Sequence, residues 1–244
     1  MRRVALITGG SRGIGAACVR LFAERGYAVV FVYRQRKDAA DALVEELLGR
    51  GLDVSCVRCD VSDARQVKET VAELLRLHHH IDVLVNNAGV ARVGLLTDLS
   101  EADWHTVFDT NIGGVFHVTQ AVLPGMISRQ SGSIVNLSSM WGETGASCEV
   151  AYSAAKAAVI GFTRALAKEV GPSGVRVNCV SPGLIDTDMN AELDEAALRA
   201  LADETPLSRA GTAEEVAQAV LYLAGDGASF ITGQVLGVSG GLQI

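Results

Sequence analysis

Short apolar runs alternate along this chain with longer segments whose apolar residues recur at helical spacing. The run from Val4 to Thr8 is bounded by glycine and is typical of a buried strand. The pattern predicts strands at residues 3–8, 28–33, 53–59, 82–86, 132–138, 175–180 and 234–238. It predicts helices at residues 13–25, 37–50, 63–77, 101–121, 150–170 and 213–224. This alternation indicates an α/β fold: a Rossmann-type doubly wound parallel sheet of about seven strands with helices on both faces.

Three positions that favour ligand binding follow the ends of predicted strands: Gly9, Asn86 and Ser139. The carboxyl ends of parallel strands lie at one edge of a sheet, and doubly wound folds bind ligands outside that edge. We therefore expect a functional site there, formed by residues that are far apart in the sequence.

A glycine-rich segment, Gly9-Gly10-Ser11-Arg12-Gly13-Ile14-Gly15, joins the first predicted strand to the first predicted helix. Glycine lets the backbone approach a pyrophosphate, and the helix N-terminus offers free N–H groups. The spacing Gly9-x-x-x-Gly13-x-Gly15 differs from the commoner G-x-G-x-x-G, but its place between strand and helix predicts a dinucleotide site.

The end of the second predicted strand bears on the choice of nucleotide. An acidic residue there would bind a ribose 2′-hydroxyl, but Tyr33 is followed by Arg34. Arg12 and Arg34 are the candidates to bind a 2′-phosphate through charge-assisted hydrogen bonds. We therefore expect NADP(H) rather than NAD(H), with two merely solvated arginines as the alternative.

Tyr152 and Lys156 stand four residues apart in a predicted helix and so share one face. An adjacent ammonium favours the phenolate, and a drop of about three units in the tyrosine pKa requires roughly 4 kcal/mol of interaction. Ser139, thirteen residues upstream, would hold a carbonyl oxygen while Tyr152 delivers a proton. Ser138 is the alternative to Ser139, because adjacent strand residues face opposite ways.

These motifs resemble those of the short-chain dehydrogenase/reductase family over nearly the whole chain. The resemblance rests on Thr8-Gly9-x-x-x-Gly13-Ile14-Gly15, Asp60-Val61, Asn86-Asn87-Ala88-Gly89, the set Asn111, Ser139, Tyr152 and Lys156, and Pro182-Gly183 with Thr187. It implies a catalytic tetrad of Asn111, Ser139, Tyr152 and Lys156.

The resemblance also implies roles for the other segments. Asp60 and Val61 would contact the adenine, and Asn87, Ala88 and Gly89 would close over the adenosine. Pro182, Gly183 and Thr187 would form a loop on the nicotinamide side. Lys156 would bind the nicotinamide ribose, and Asn111 would hold a water that relays protons to it. Cofactor contacts are thus expected at Gly9, Ser11, Arg12, Gly13, Ile14, Gly15, Arg34, Asp60, Val61, Asn87, Ala88, Gly89, Tyr152, Lys156, Pro182, Gly183 and Thr187.

Within the family, the chain is most similar to bacterial β-ketoacyl-acyl-carrier-protein reductases, which implies NADPH-dependent reduction of a ketone to a secondary alcohol. The segment from Trp141 to Glu149 also resembles a subgroup thought to reduce a ketone on a modified lysine of elongation factor P. A small free ketone is a further alternative substrate. A non-catalytic nucleotide-binding sensor is the alternative of another class.

Charge bears on whether the ketone is carried on an acyl carrier protein. Such carriers are acidic, so a reductase acting on them requires basic docking residues, and Arg129 is the candidate. The turn after the predicted catalytic helix, Gly171-Pro172-Ser173-Gly174, contains no base. Residues 184–207 are rich in acidic side chains, and we expect them to form a substrate lid. A solvated acidic helix is the alternative.

Size and composition indicate a single NAD(P)-binding catalytic domain over residues 1–244, because no linker or repeat divides the chain. The net charge of −7 argues against nucleic acid or an anionic membrane as a partner.

The five cysteines and the lack of a signal-peptide pattern favour reduced thiols in a cytoplasm. Cys56-x-x-Cys59 falls within a predicted strand, and His78-His79-His80 reads as a solvated turn, so neither a redox dithiol nor a metal site is expected.

Two apolar surfaces indicate self-association. The helix over residues 151–170 presents small residues beyond what one sheet face needs: Ala154, Ala155, Ala157, Ala158 and Gly161. Residues 227–244 carry no charge and are read as a buried strand and terminus that also offers apolar surface. Together with the family resemblance, these features predict a homotetramer.

Overall fold

The computed structural model describes residues 2–187 and 195–242. Its strands are β1 Val4–Thr8, β2 Ala28–Tyr33, β3 Val54–Arg58, β4 Val83–Asn86, β5 Gly132–Leu137, β6 Val175–Pro182 and β7 Val235–Val238. They form one sheet in the order β3-β2-β1-β4-β5-β6-β7, in which every neighbouring pair is parallel. The predicted doubly wound parallel sheet is confirmed.

Helices cover both faces of this sheet. They are α1 Gly13–Glu24, α2 Lys37–Gly49, α3 Ala64–His78, α4 Glu101–Phe108, α5 Gly114–Arg129, α6 Trp141–Thr144, α7 Val150–Val170, α8 Glu195–Glu204 and α9 Ala213–Ala224. Apolar residues of α1, α2 and α9 pack against one face, and those of α3, α5 and α7 pack against the other. Both faces of β1, β2, β4, β5 and β6 are therefore buried, which explains their continuous apolar runs.

The order of the strands determines where a ligand can enter. β1 lies between β2 and β4, so the strand order reverses direction at β1. A crevice opens at such a point, outside the carboxyl ends of the strands. Thr8, Tyr33, Asn86 and Leu137 end their strands at this edge.

The single helix predicted at residues 101–121 is wrong. α4 ends at Phe108, a π-helical turn occupies Asp109–Gly113, and α5 then continues beyond residue 121 through Pro124 to Arg129. The turn lies between two helices that follow one another without a break, and no proline marks it in the sequence, so the pattern was interpreted as one helix. Burial of one face of α5 against the sheet outweighs the hydrogen bond that a proline removes.

The C-terminal strand is less buried than its sequence predicted. β7 is an edge strand, and Leu236 within it is 37% exposed, while Phe230 just before it is fully exposed. A buried strand is therefore the wrong description for the isolated chain.

The predicted lid is only partly described. Residues 188–194 of the segment 184–207 lie outside the described residues. α8 follows them, and the backbone of Leu184 accepts a hydrogen bond of 2.9 Å from Gly211 N–H, which ties the start of the segment to the turn before α9. Among the described residues, no helix has the length and apolar character needed to cross a bilayer.

Candidate active site

The glycine turn between β1 and α1 is packed too tightly for larger residues. A Cβ atom on Gly15 would lie 2.1 Å from the Gly9 carbonyl oxygen, which is far inside van der Waals contact. Gly13 has φ +52°, a conformation that disfavours side chains, and a Cβ atom placed on it would lie 3.6 Å from Thr187 Cγ2. The turn therefore presents bare backbone beside the N-terminus of α1, as dinucleotide binding requires.

Asn87 fixes this turn to the end of β4. Its side-chain amide donates hydrogen bonds to the carbonyls of Thr8 at 2.9 Å and Gly9 at 3.1 Å. The Thr8 hydroxyl in turn accepts hydrogen bonds from the N–H groups of Asn87 and Ala88. The first glycine is thus held by strands that are about eighty residues apart in sequence, and one role of Asn87 is to shape the turn.

One cleft along the carboxyl edge of the sheet gathers most of the predicted cofactor residues. Those that line it are Gly9, Ser11, Arg12, Gly13, Ile14, Gly15, Arg34, Asp60, Val61, Asn87, Ala88, Gly89 and Thr187. The predicted residues Tyr152, Lys156, Pro182 and Gly183 do not line it. The sequence analysis missed Gln35, Arg36 and Thr110, which also line the cleft.

The arginines that follow β2 in the cleft lie close to carboxylates. Arg34 Nη1 lies 3.7 Å from Asp60 Oδ2, and Arg36 pairs with Asp38. No carboxylate directly follows β2 in the sequence, but Asp60 reaches this region because it follows β3, the neighbour of β2 in the sheet. Three arginines still border the cleft, Arg12, Arg34 and Arg36, so cationic groups outnumber the single lining carboxylate, Asp60.

Tyr152 and Lys156 share one face of α7, as predicted, and both are buried. Lys156 Nζ lies 5.6 Å from the centre of the Tyr152 ring and donates a 2.8 Å hydrogen bond to the Leu137 carbonyl. A side-chain hydrogen bond joins Ser139 to Tyr152. Ser138 instead donates to the backbone carbonyl of Lys156, at 2.8 Å, so the structure places Ser139 and not Ser138 beside the phenol.

The pKa of Tyr152 moves opposite to expectation. Burial, opposed by the hydrogen bond with Ser139 and reinforced by the charge of Glu149, raises it to about 12. Burial also lowers the pKa of Lys156 to about 8. The predicted lowering of the tyrosine pKa is wrong for this structure, because taking the phenol out of water disfavours its anion more than the lysine favours it.

Asn111 lies in the π-helical turn with its side chain fully buried. Its amide oxygen accepts a hydrogen bond from Val90 N–H and its amide nitrogen donates one to the Val90 carbonyl, both at 2.8 Å. The side chain thereby anchors the segment that follows β4. Such turns often occur at functional sites, where they redirect a side chain.

Gly89 connects the tetrad to the cleft. A Cβ atom placed on Gly89 would lie 3.0 Å from Asn111 Oδ1 and 3.4 Å from Lys156 Nζ. Pro182 and Gly183 lie on the Ser139 side, where the Pro182 carbonyl accepts a hydrogen bond from Met140 N–H. The tetrad therefore stands at the inner end of the cleft, next to the predicted nicotinamide-side loop.

The site contains an ionisable residue that sequence reasoning passed over. Glu149 precedes Tyr152 by three residues, and its carboxylate oxygen Oε2 is buried without a hydrogen-bond partner among the described residues. Burial raises the pKa of this carboxyl group. The signal in the sequence was the position of Glu149, three residues before Tyr152 at the start of a predicted helix.

Arg129 is not placed to dock a carrier at this site. Its guanidinium donates a 2.7 Å hydrogen bond to the carbonyl of Ile81, which precedes β4, and lies 3.9 Å from Asp82. It therefore stands at the amino edge of the sheet, opposite the cleft of the same chain, and its docking role stays a prediction. His80 pairs with Asp82 at the same edge, at 3.2 Å.

Comparisons with known proteins agree with this geometry. A family model described as enoyl-(acyl carrier protein) reductase matches residues 9–243. The 3-oxoacyl-(acyl-carrier-protein) reductase FabG of Chlamydia trachomatis is 44% identical over 99% of this chain and 98% of its own length. The proteins of the same name from Thermotoga maritima and Staphylococcus aureus are 46% and 41% identical, over 99% and 100% of this chain and 98% and 99% of their own lengths. With matches that span nearly its whole length, the chain belongs to the short-chain dehydrogenase/reductase family of oxidoreductases.

Proposed function

We propose that this protein uses NADPH to reduce a ketone to a secondary alcohol. The observation that carries the proposal is the pair of hydroxyls, Ser139 and Tyr152, held together at the inner end of a cleft that fits a dinucleotide. Two adjacent hydroxyl groups suit a carbonyl oxygen, which accepts two hydrogen bonds as it gains negative charge.

Members of this family use a nicotinamide cofactor. The residues of the cleft fit one, since the glycine turn leaves space for a pyrophosphate and Arg12, Arg34 and Arg36 supply positive charge for a 2′-phosphate. When bound, NADPH supplies the hydride. Asp60 and Val61 would hold the adenine, while Lys156 would hold the ribose near the nicotinamide.

Each member of the tetrad has a distinct proposed task. Ser139 orients the carbonyl oxygen, and Tyr152 gives its proton to that oxygen. The raised pKa of Tyr152 keeps the phenol protonated near neutral pH, as proton donation requires. Lys156 adds positive charge beside the developing alkoxide, and Asn111 positions the backbone at Val90 and holds the water of the proton relay.

Two classes of substrate are candidates. The first candidate is a 3-oxoacyl group on an acyl carrier protein, because the relatives are named as reductases of that group. The second candidate is a ketone that no acidic carrier presents, and the buried Oε2 atom of the Glu149 carboxylate beside Tyr152 favours it. That class includes small free ketones and a ketone on a modified lysine of elongation factor P.

Side-by-side kinetics test the reaction and rank the substrates. NADPH oxidation is measured with an acetoacetyl carrier, an acetoacetyl thioester and a panel of small free ketones. Turnover of any ketone supports the proposed reaction. Tight NADPH binding without turnover of any of them would contradict it and favour the non-catalytic sensor.

The NADPH preference is tested by the variant Arg34→Asp. Losing one charge-assisted hydrogen bond and adding a repulsive carboxylate should lower the kcat/KM ratio of NADPH to NADH by at least about tenfold. Arg25→Asp is the matched control, because Arg25 is exposed at the far end of α1. A wild-type enzyme that works better with NADH would contradict the proposal.

A further inference from the structure

Glu149 stands beside the proposed reaction centre without a partner. It is the last residue before α7, and its negative charge acts directly on Tyr152, three residues later. Its carboxylate oxygen Oε2 is buried and accepts no hydrogen bond from the described residues. A carboxylate in such a position is costly to the fold unless something else donates to it.

The surroundings of Glu149 do not supply that donor. Apolar side chains, among them Trp141, Val90 and Ala151, pack around Tyr152, and no group of the described residues donates a hydrogen bond to Oε2. Burial is what raises the pKa of the Glu149 carboxyl, and no arginine or lysine among the described residues counteracts it. The unmet need is therefore for both a hydrogen-bond donor and a positive charge.

We propose that Glu149 binds a protonated amine carried by the ketone substrate, so that the enzyme selects a cationic ketone over a neutral one of the same shape. This inference rests on the proposed ketone reduction and names the substrate class for it. An ammonium N–H would fill the empty acceptor position on Oε2 and balance its charge. The apolar walls next to Tyr152 would receive the alkyl chain that links the amine to the carbonyl.

A cation satisfies this site better than a neutral donor. An amide or hydroxyl would supply the hydrogen bond but would leave a buried negative charge uncompensated. The negative charge of Glu149 opposes ionisation of Tyr152. A bound cation would offset that charge as the phenol gives up its proton.

The test compares two ketones that differ only in charge. One bears a dimethylammonium group at the end of a short alkyl chain, and the other bears an isopropyl group there. The tertiary amine cannot condense with its own carbonyl. For wild type, Glu149→Gln and Glu143→Gln, we measure binding to the NADP⁺-loaded protein by calorimetry and NADPH-dependent kcat/KM. Glu143 is an exposed carboxylate on α6 and controls for the change in net charge.

Wild type and Glu143→Gln should favour the cationic ketone by at least about tenfold in both binding and kcat/KM. Glu149→Gln should lose this preference, so that its affinity and kcat/KM for the two ketones become about equal. Equal affinity of wild type for the two ketones, a preference that survives in Glu149→Gln, or binding of neither ketone would overturn the inference. A Glu149-dependent binding preference without turnover would support it and count against the proposed reaction alone.

Discussion

At the residue scale, burial governs the protonation of the two ionisable groups on α7. Tyr152 is held neutral by burial, and Lys156 is buried with a single carbonyl as its hydrogen-bond partner among the described residues. Sequence spacing placed these residues on one helical face, but it carried no information about how far each is removed from water. The sign of the tyrosine shift depends on that burial, which the rest of the fold supplies.

Removing the phenol hydroxyl should separate chemistry from binding. Tyr152→Phe should lower kcat by about 10²–10⁴-fold, because a positioned acid contributes that much, while the dissociation constant for NADPH changes little. Steady-state kinetics and fluorescence titration with NADPH provide the two measurements. Tyr222→Phe removes an exposed phenol and is the control. Retention of more than about a tenth of kcat would show that another group is the main acid.

The buried lysine should leave a signature in the pH dependence of stability. Its pKa falls from 10.5 to about 8 on folding, so between these values the unfolded chain holds a proton that the folded chain lacks. The free energy of unfolding of wild type should therefore rise with pH across this window, relative to Lys156→Met. The lysine penalises the fold fully below pH 8 and no longer does so above pH 10.5.

Urea denaturation of the cofactor-free protein at several pH values measures this difference. Lys168→Met, which removes an exposed lysine from the same helix, should follow the wild-type curve. A constant difference between wild type and Lys156→Met across the window would mean that Lys156 is not desolvated.

At the element scale, the tight glycine turn should tolerate no side chain at its last glycine. In Gly15→Ala the added Cβ would collide with the Gly9 carbonyl oxygen and with Asn87 Nδ2, which lie 2.1 Å and 2.6 Å away. We expect NADPH affinity to fall at least about tenfold and the free energy of unfolding to fall by about 1–3 kcal/mol.

The matched control is Gly49→Ala at the C-terminal end of α2, where no atom lies within 4 Å of the added Cβ. There the free energy of unfolding should stay the same or rise by up to about 1 kcal/mol, because alanine favours helix. Calorimetric binding and chemical denaturation distinguish the two variants. Normal NADPH affinity in Gly15→Ala would contradict the assigned role of the turn.

Apolar periodicity was sufficient to predict most elements of the fold, and it failed where local hydrogen bonding decides the backbone. Five of the strands, β1, β2, β4, β5 and β6, were predictable because both of their faces are buried. The π-helical turn at Asp109–Gly113 was not, since it is stabilised with the help of the bonds between Asn111 and Val90, which are distant in sequence. Glu149 was missed for a similar reason: only the packed site shows that its carboxylate is enclosed.

At the scale of the whole molecule, two surfaces of the chain remain open to a second copy. The face of α7 that carries Ala157 and Gly161 is exposed, and so are Phe230 and part of β7. Apolar surface of this kind favours self-association, and we predict a homotetramer.

Light scattering at micromolar concentration should give a mass of about four times the 25.6 kDa of one chain. Ala157→Arg should reduce this mass by placing a charged side chain in the predicted α7 interface. Leu48→Arg changes an exposed apolar residue on α2, away from both predicted interfaces, and should leave the mass unchanged. A mass near that of one chain for the wild type would refute the oligomer.

The position of β1 between β2 and β4 has a consequence for biosynthesis. β1 leaves the ribosome well before its second neighbour, β4, which begins only at Val83. Until β4 has been made, Thr8 and Gly9 lack the hydrogen bonds that Asn87 gives them. Non-local parallel pairing of this kind folds slowly and leaves strand edges open meanwhile. Between the synthesis of β1 and that of β4, the nascent chain therefore carries an apolar, unpaired edge of β1, and an edge of this kind favours aggregation.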